Sequence, residues 1–339
     1  MSAVPSSPRG ARVPAVSLLA LLLLGCTAVP QPSVPLARPG PTTVGPDPGL
    51  AEAPPEAGPQ TPPPKLNPGV TLIASPKGVL LPVLAAEGEL FRVSTPCGEE
   101  ALVSGKPVEA IDVVLDPGHG GEESGAVGPN GLREKDLNAT VAGFARNALA
   151  REGIRVIPTR NGDYRMTLVA RGLLNAAAKP KVFVSIHHNS GSNMASKTPG
   201  TDVYYQVASP ESKRLGGLIY EEVTKTLGSI KGVSWATGTY AGVKVRLNDQ
   251  GTDYFGVVRR TAGTPGVLVE MGYISNPAEA AIFADRKVQQ AEGEAVARGI
   301  LRFLRTADPG TGYVTTPDPA VGALGGGGGG ANGCTNPQL

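Results

Sequence analysis

The sequence holds few of the residues on which most enzyme chemistry relies: three histidines and three cysteines in 339 residues. It also lacks the local signatures of several enzyme classes. There is no G-x-S-x-G elbow, no G-x-x-x-x-G-K-[ST] phosphate loop and no H-E-x-x-H helix, and Cys97 has no histidine near it in sequence. Serine, cysteine and phosphoryl-transfer chemistry therefore lose most of their support. No basic block stands out from a net charge of +2, which argues against a nucleic-acid partner.

What is present is unevenly spread. The 46 glycines and 33 prolines are too many for one compact domain, and the excess sits at the two ends. Arg9 and Arg12 precede the apolar run Ala15 to Leu24, which is too short for a membrane-spanning helix of about 20 residues and has the shape of a signal peptide. "LLLLGC" resembles a bacterial lipobox in which Cys26 would become the lipid-modified first residue, although Leu24 stands where a small residue is more usual. The expectation is an exported protein of the cell envelope, on the periplasmic or extracellular face and anchored to a membrane. Residues 27–68 are rich in Pro, Ala and Gly and cannot bury enough surface to offset their ordering entropy. They read as a disordered linker, at most roughly 120 Å long at about 3.1 Å per residue. Residues 69–106 show short β-branched runs between Gly and Pro turns, either an SH3-like piece or an extension of the next domain. Residues 306–339 turn to Gly and Pro again and read as a disordered tail. An exported compartment would permit a Cys97–Cys334 disulfide, but two free thiols fit the sequence as well.

Between 111 and 305 strand-like and helical patterns alternate. Apolar runs lie at 111–115, 154–158, 182–186, 203–207 and 267–269. Leu137, Val141, Phe144, Ala148 and Leu149 line one helix, closed by Gly153. A second opens at Ser209 and Pro210, turns Leu215, Leu218, Ile219, Val223 and Leu227 inward, and stops at Gly228. Val288, Ala295, Ile300 and Leu304 fit a last long helix. The fold class is α/β: a mostly parallel twisted sheet with helices on both faces, preceded by the small β-rich segment.

All three histidines fall in two segments, "VVLDPGHGG" with His119 and "VSIHHN" with His187 and His188. Both begin as strands and deliver an imidazole where the strand ends, the place at which ligands gather in an open α/β sheet. Glu134, at the mouth of the first helix, adds a carboxylate. Two imidazoles and one carboxylate from three elements make a set that suits a catalytic zinc with one position open. The helix dipole alone would also favour Glu134 there, and Glu122 and Glu123 are rival carboxylates, read as solvated in a Gly-rich loop. Glu270 closes the apolar strand "GVLVE", where a carboxylate meets a burial cost unless it has a partner. It is the candidate general base, against the alternative of a buried glutamate bound by backbone amides. Because side chains alternate along a strand, His188 is expected on the face opposite His187 in a supporting role. It is also carried, with Asn189 and Arg246, as a candidate substrate contact. Residues 229–252 are irregular enough to form a groove or a cover, and Asp249 and Tyr254 join Arg246 as candidate groove residues.

The ordered segments "VVLDPGHGG", "REKDLN" with Glu134, "VSIHHN" and "VLVEMGYISNPAE" together resemble the zinc-dependent N-acetylmuramoyl-L-alanine amidases, over about residues 113–304. The resemblance implies hydrolysis of the amide between the lactyl group of N-acetylmuramic acid and L-alanine in peptidoglycan. It further implies Zn2+ as cofactor, His119, Glu134 and His187 as its ligands, and Glu270 as catalytic acid/base. His188 stands where that family more often has a small residue. Implied partners are peptidoglycan and a membrane through the lipid anchor at Cys26, with an activator protein as a further candidate. Two other readings stay open: a non-catalytic peptidoglycan-binding or regulatory module, which the intact set of four residues disfavours, and a zinc peptidase acting on the stem peptide.

Overall fold

The central strands open as unbroken apolar runs, Val113–Leu115, Val182–Val184 and Val267–Val269, so each must be covered on both faces. The computed structural model describes residues 69–191, 200–233, 235, 241–318 and 332–339. They fall in one unit, Thr61–Leu339. The described chain opens with five short strands, β1 (Leu72–Ala74), β2 (Leu80–Glu87), β3 (Leu90–Ser94), β4 (Glu100–Val103) and β5 (Lys106–Pro107). They form an antiparallel sheet in the order β4-β3-β2-β1-β5. The α/β part follows as β6 (Val113–Pro117), α1 (Glu134–Arg151), β7 (Val156–Pro158), α2 (Leu168–Ala178), β8 (Val182–Asn189), β9 (Asp202–Tyr205), α3 (Pro210–Gly228), β10 (Gly242–Lys244), α4 (Gly256–Arg260), β11 (Gly266–Tyr273), α5 (Pro277–Phe283) and α6 (Arg286–Arg305).

These strands make a six-stranded sheet in the order β10-β9-β11-β8-β6-β7. β7, β6, β8 and β11 run parallel, whereas β9 is antiparallel to β11 and carries β10 parallel to itself. Alternation assigns the faces. Val113, Leu115, Val182, Val184, Ile186, Val267 and Val269 pack with Leu137, Val141, Leu215, Leu218 and Ile300 under α1, α3 and α6. Val114, Phe183 and Leu268 point the other way, against Ala170 and Leu174 of α2 and Val257 and Val258 of α4. α2 and β10 are not among the elements expected from the sequence; α2 is nonetheless marked locally, by Thr167 Oγ1 accepting from Ala170 N at its start and by Ala170 and Leu174 on its inner face.

The small sheet is docked on the second face. Leu72 and Leu80 join the core below α2, and Tyr164, from the β7–α2 connection, is buried among Ile73, Leu81, Phe91 and Val93 of the small sheet. Thr71 Oγ1 donates to the Ala177 carbonyl at 2.8 Å, and Asn161 Nδ2 to that of Gly78 at 2.7 Å.

The expected disordered tail is corrected where it is described. Residues 310–318 run beside β10: Val243 N donates to Gly312 O at 2.8 Å, Val314 N to Val243 O at 2.9 Å and Asp318 N to Val245 O at 3.0 Å. An edge strand with unpaired amides recruits a partner, and the tail supplies it. Gly310 and Gly312 have φ of 71° and 82° and lie hard against Gly217 and Tyr220 of α3, so here glycine serves close approach, not freedom. Further on, Cys334 is joined to Cys97 by a disulfide, and Asn336 Oδ1 accepts from Cys97 N at 3.0 Å. The linker, Cys26 and the six glycines at 325–330 lie outside the described residues. Among the described residues no helix is long and apolar enough to cross a membrane.

Candidate metal centre

The turn after β6 is built to present His119. Its carbonyls leave the sheet ladder, and two buried guanidiniums collect them. Arg171 pairs with Asp116 and donates to Pro117 O at 3.1 Å and His119 O at 2.9 Å. Arg160 donates to Pro117 O and Gly118 O, each at 3.1 Å, and to Lys135 O at 2.7 Å. Asp116 is further fixed by Thr159 Oγ1 at 2.5 Å and Ser185 Oγ at 2.6 Å. This clamp holds His119 at φ 60°, a left-handed conformation that costs a residue with a side chain about 1–3 kcal/mol and survives only where the surroundings determine it. Two glycines leave room for the rings. A Cβ on Gly118 would lie 2.1 Å from the His187 ring, and one on Gly125 (φ 65°) would lie 2.5 Å from Glu134 Oε2 and 2.6 Å from His119 Cδ2.

The result is a cluster of His119, Glu134 and His187 with one donor atom each, all within 4.8 Å of one another. His119 Nε2 is 3.1 Å from Glu134 Oε2 and His187 Nδ1 is 3.0 Å from Glu134 Oε1. The rings stand edge to face with centroids 5.1 Å apart. Two nitrogens of partly exposed rings and one buried carboxylate, converging where β6 and β8 end, fit a catalytic zinc. Glu134 also accepts from Ala126 N at 2.9 Å and Asn138 Nδ2 at 3.3 Å. Burial alone would raise its pKa, but the two histidines outweigh that and hold it well below the usual carboxylate range. Burial lowers His119 less than Glu123 and Glu134 raise it, leaving it at about 9; that proton is the one a metal ion would displace.

Glu123 departs from the sequence expectation. Its Oε1 lies 3.1 Å from His119 Nδ1 and its Oε2 3.3 Å from Arg165 Nε, so it orients the far side of the ring in the manner of a carboxylate–histidine–metal triad. Only its spacing of four from His119 hinted at this. Glu122 faces outward, 3.8 Å from Arg165.

Glu270 lies on the neighbouring strand, in register with His187 on one side and Asp202 on the other. It is buried, and its Oε2 has no hydrogen-bond partner among the described residues. Burial, with repulsion from Glu134 and Asp202, pushes its pKa well up, against the pull of His119. The alternative of a glutamate held by backbone amides has no support at Oε2. Glu270 opens on a cleft of about 360 Å³ lined also by Asn189, Asp202, Lys244, Arg246, Tyr273 and Asp318. Lys244 spans Asp202 at 3.0 Å and Asp318 at 3.4 Å, and the Arg246 guanidinium lies 4.4 Å from the Tyr254 ring centre. On the other side, a narrow pocket of about 70 Å³ runs past His119 and His187 to Met166, Leu168 and Val257, and Phe255 belongs to both walls.

The structure thus brings Asn189 and Arg246 to the cleft but not His188, whose side chain is fully buried on the α1/α6 face; as a substrate contact it is corrected. Asp249 is exposed and does not line the cleft. Arg160, Arg171, Asp202, Lys244 and Asp318 escaped the sequence reading, because nothing local marks a residue whose partner is a distant carbonyl or carboxylate.

Comparison with known proteins fits this geometry. The uncharacterized protein YqiI of Bacillus subtilis is 34% identical over 210 residues, covering 60% of this chain and 88% of its own. The N-acetylmuramoyl-L-alanine amidase AmiC of Neisseria meningitidis is 27% identical over 265 residues, 65% of this chain and 58% of its own. Among solved structures, Cwp6 from Clostridium difficile superposes with a TM-score of 0.52 at 30% identity, over 59% of this chain and 31% of that one. Residues 113–302, which hold the whole cluster and Glu270, match the family described as N-acetylmuramoyl-L-alanine amidase, and the chain belongs to that family.

Proposed function

We propose that the chain hydrolyses the amide between N-acetylmuramic acid and L-alanine in peptidoglycan, with zinc held by His119 Nε2, the Glu134 carboxylate and His187 Nδ1. The observation that carries this is a buried carboxylate, Glu270, whose Oε2 has no partner among the described residues, set beside a converging His–Glu–His cluster in a chain of this family. Bound zinc would supply Lewis acidity toward the lactyl carbonyl and the attacking water.

The remaining work falls to the chain's own side chains. Glu270, kept basic by its burial and its acidic neighbours, takes a proton from the attacking water and delivers it to the departing amine of L-alanine. Arg171 and Arg160 hold the His119 turn so that the ring does not reorganise during turnover. Asn189 and Arg246 contact the substrate along the cleft, with Arg246 kept extended by the Tyr254 ring. We further propose export with a lipid anchor at Cys26; replacing Cys26 by Ser should move the protein from the membrane fraction to the soluble fraction, and unchanged partitioning would sink that part.

The test is digestion of peptidoglycan by the purified chain, with fragments identified by mass spectrometry. Free stem peptides beginning with L-alanine, lost with a chelator and restored by zinc, are expected. Cleavage within the stem would make the protein a peptidase, and zinc binding without release of any peptide would make it a binding module.

A further inference from the structure

His188 follows a metal ligand in sequence yet faces away from the metal centre. It lies on the α1/α6 side of the sheet, edge-on to the Phe283 ring with centroids 5.0 Å apart, and its side chain has no exposed surface. An imidazole carries two polar atoms into that apolar layer, so both need partners. Nδ1 is 2.8 Å from Asn138 Oδ1, and Nε2 is 3.4 Å from Glu292 Oε1 of α6.

The amide of Asn138 decides which atom donates. Its Nδ2 faces two acceptors, Glu134 Oε1 at 3.3 Å and the Gly118 carbonyl at 3.4 Å. Nδ2 must therefore be the donor on that side, leaving Oδ1 to accept from His188 Nδ1–H. Glu292, also without exposed surface, meets Nε2 through its Oε1 across the far side of the ring. An unbroken line of hydrogen bonds then runs Glu292–His188–Asn138–Glu134, from the middle of α6 to a carboxylate of the metal centre. The backbone joins in: His188 N–H donates to the same Glu134 Oε1 at 3.3 Å.

We propose that His188 is a positioning residue of the metal centre. Anchored by Glu292, it fixes the amide of Asn138 so that Nδ2 is aimed at Glu134 Oε1 and the carboxylate keeps its orientation toward His119 and His187. Without the imidazole, the amide of Asn138 loses its partner at Oδ1 and is held only by the two longer contacts of Nδ2, at 3.3 and 3.4 Å, so that it can rotate away from Glu134. The proposal rests on the metal reading given above. It assigns a role to residues outside the ligand set, where outer partners of metal ligands are worth about 10–100-fold in affinity.

The experiment compares two replacements that keep different ends of the ring. Asn at 188 can place an amide N–H near the position of Nδ1, and Gln at 188 can reach only toward that of Nε2. Zinc affinity of the full chain is measured by competition with a chromophoric chelator, alongside thermal unfolding of the metal-free protein. Stoichiometric zinc binding by the unaltered chain checks the metal reading by itself. Given that, His188→Asn should stay within about threefold of the unaltered chain, whereas His188→Gln should bind zinc about 10-fold or more weakly at similar thermal stability. Equal affinities in the two variants, whether both retained or both reduced in step with stability, would overturn the proposal and leave His188 a core filler. Should neither variant fold, Glu292→Gln and Glu292→Met carry the same question. The amide keeps a hydrogen bond to Nε2 and should keep affinity, and an unchanged affinity in Glu292→Met would overturn the proposal.

Discussion

Glu134 and Glu270 both lie beside His187 and have opposite surroundings. Glu134 receives two imidazoles, the Ala126 amide and the Asn138 side chain, and its charge is favoured despite burial. Glu270, in register with His187 one strand away, has an oxygen with no partner among the described residues and two acidic neighbours that raise its pKa. The residue type is the same in both places, and the environment assigns the work. A carboxylate whose charge is already satisfied is suited to hold a cation, and one whose charge is disfavoured is suited to move a proton.

The largest effects should come from neutralising each carboxylate in turn. Glu270→Gln is expected to keep stoichiometric zinc and to lose about 10²–10⁴-fold in peptidoglycan hydrolysis. Glu134→Gln is expected to lose the metal during gel filtration, and activity with it. Metal analysis and stem-peptide release on the two variants read out the contrast, and the reverse pattern would mean that the roles are exchanged.

A smaller but sharper test uses two left-handed glycines in the same loop. A Cβ on Gly125 meets Glu134 and His119, whereas one on Gly131 (φ 80°) meets nothing within 4 Å. Both alanine variants carry similar backbone strain. Gly125→Ala should lower activity about 10²-fold by displacing a ligand on the order of 1 Å, and Gly131→Ala should leave activity unchanged. Equal losses would assign the effect to strain alone.

The same contrast explains what could be read in the sequence. The positions of His119, His187 and Glu270 were legible because apolar runs stop at a polar residue only where something offsets the burial, although β8 and β11 continue past His187 and Glu270 to Asn189 and Tyr273. The helices α1, α3 and α6 were legible from their spacing and from Ser209, Pro210 and Gly153. The clamp of Arg160 and Arg171 was not, since its partners are backbone carbonyls some 40–50 residues away. Glu123 was misread because Gly-rich surroundings suggest solvent, although the glycines there serve close packing. The tail at 310–318 misled for the same reason: composition reports conformational freedom, while the open edge of β10 and the small Gly217 surface of α3 decide whether it is used.

That tail also has a covalent tie. Cys97 and Cys334 are separated by 237 residues in sequence, so reducing their bond frees a long loop in the unfolded chain. Replacing both by serine should lower stability by up to about 4 kcal/mol, measured by urea unfolding, with the same shift in the unaltered protein under reductant. A reductant effect persisting in the serine variant would place its cause elsewhere.

A third carboxylate extends the opening comparison at the smallest scale. Glu279, in the first turn of α5, is fully buried. Its Oε2 accepts from Tyr273 N at 2.7 Å, and its Oε1 has no partner among the described residues. Burial, only partly opposed by that amide, pushes its pKa from 4.5 up to about 7. The folded protein therefore holds this proton where the unfolded chain has released it. Its contribution to stability is greatest below pH 4.5, declines as pH rises toward 7 and is flat above, a loss of up to about 3 kcal/mol. Urea unfolding of the metal-free protein at pH 5 and pH 8 should show this decline, and Glu279→Gln, which cannot ionise, should reduce it by that amount. If the variant loses as much stability as the unaltered chain over this range, Glu279 is ionised in the fold and satisfied by a partner. It would then belong with Glu134 and not with Glu270.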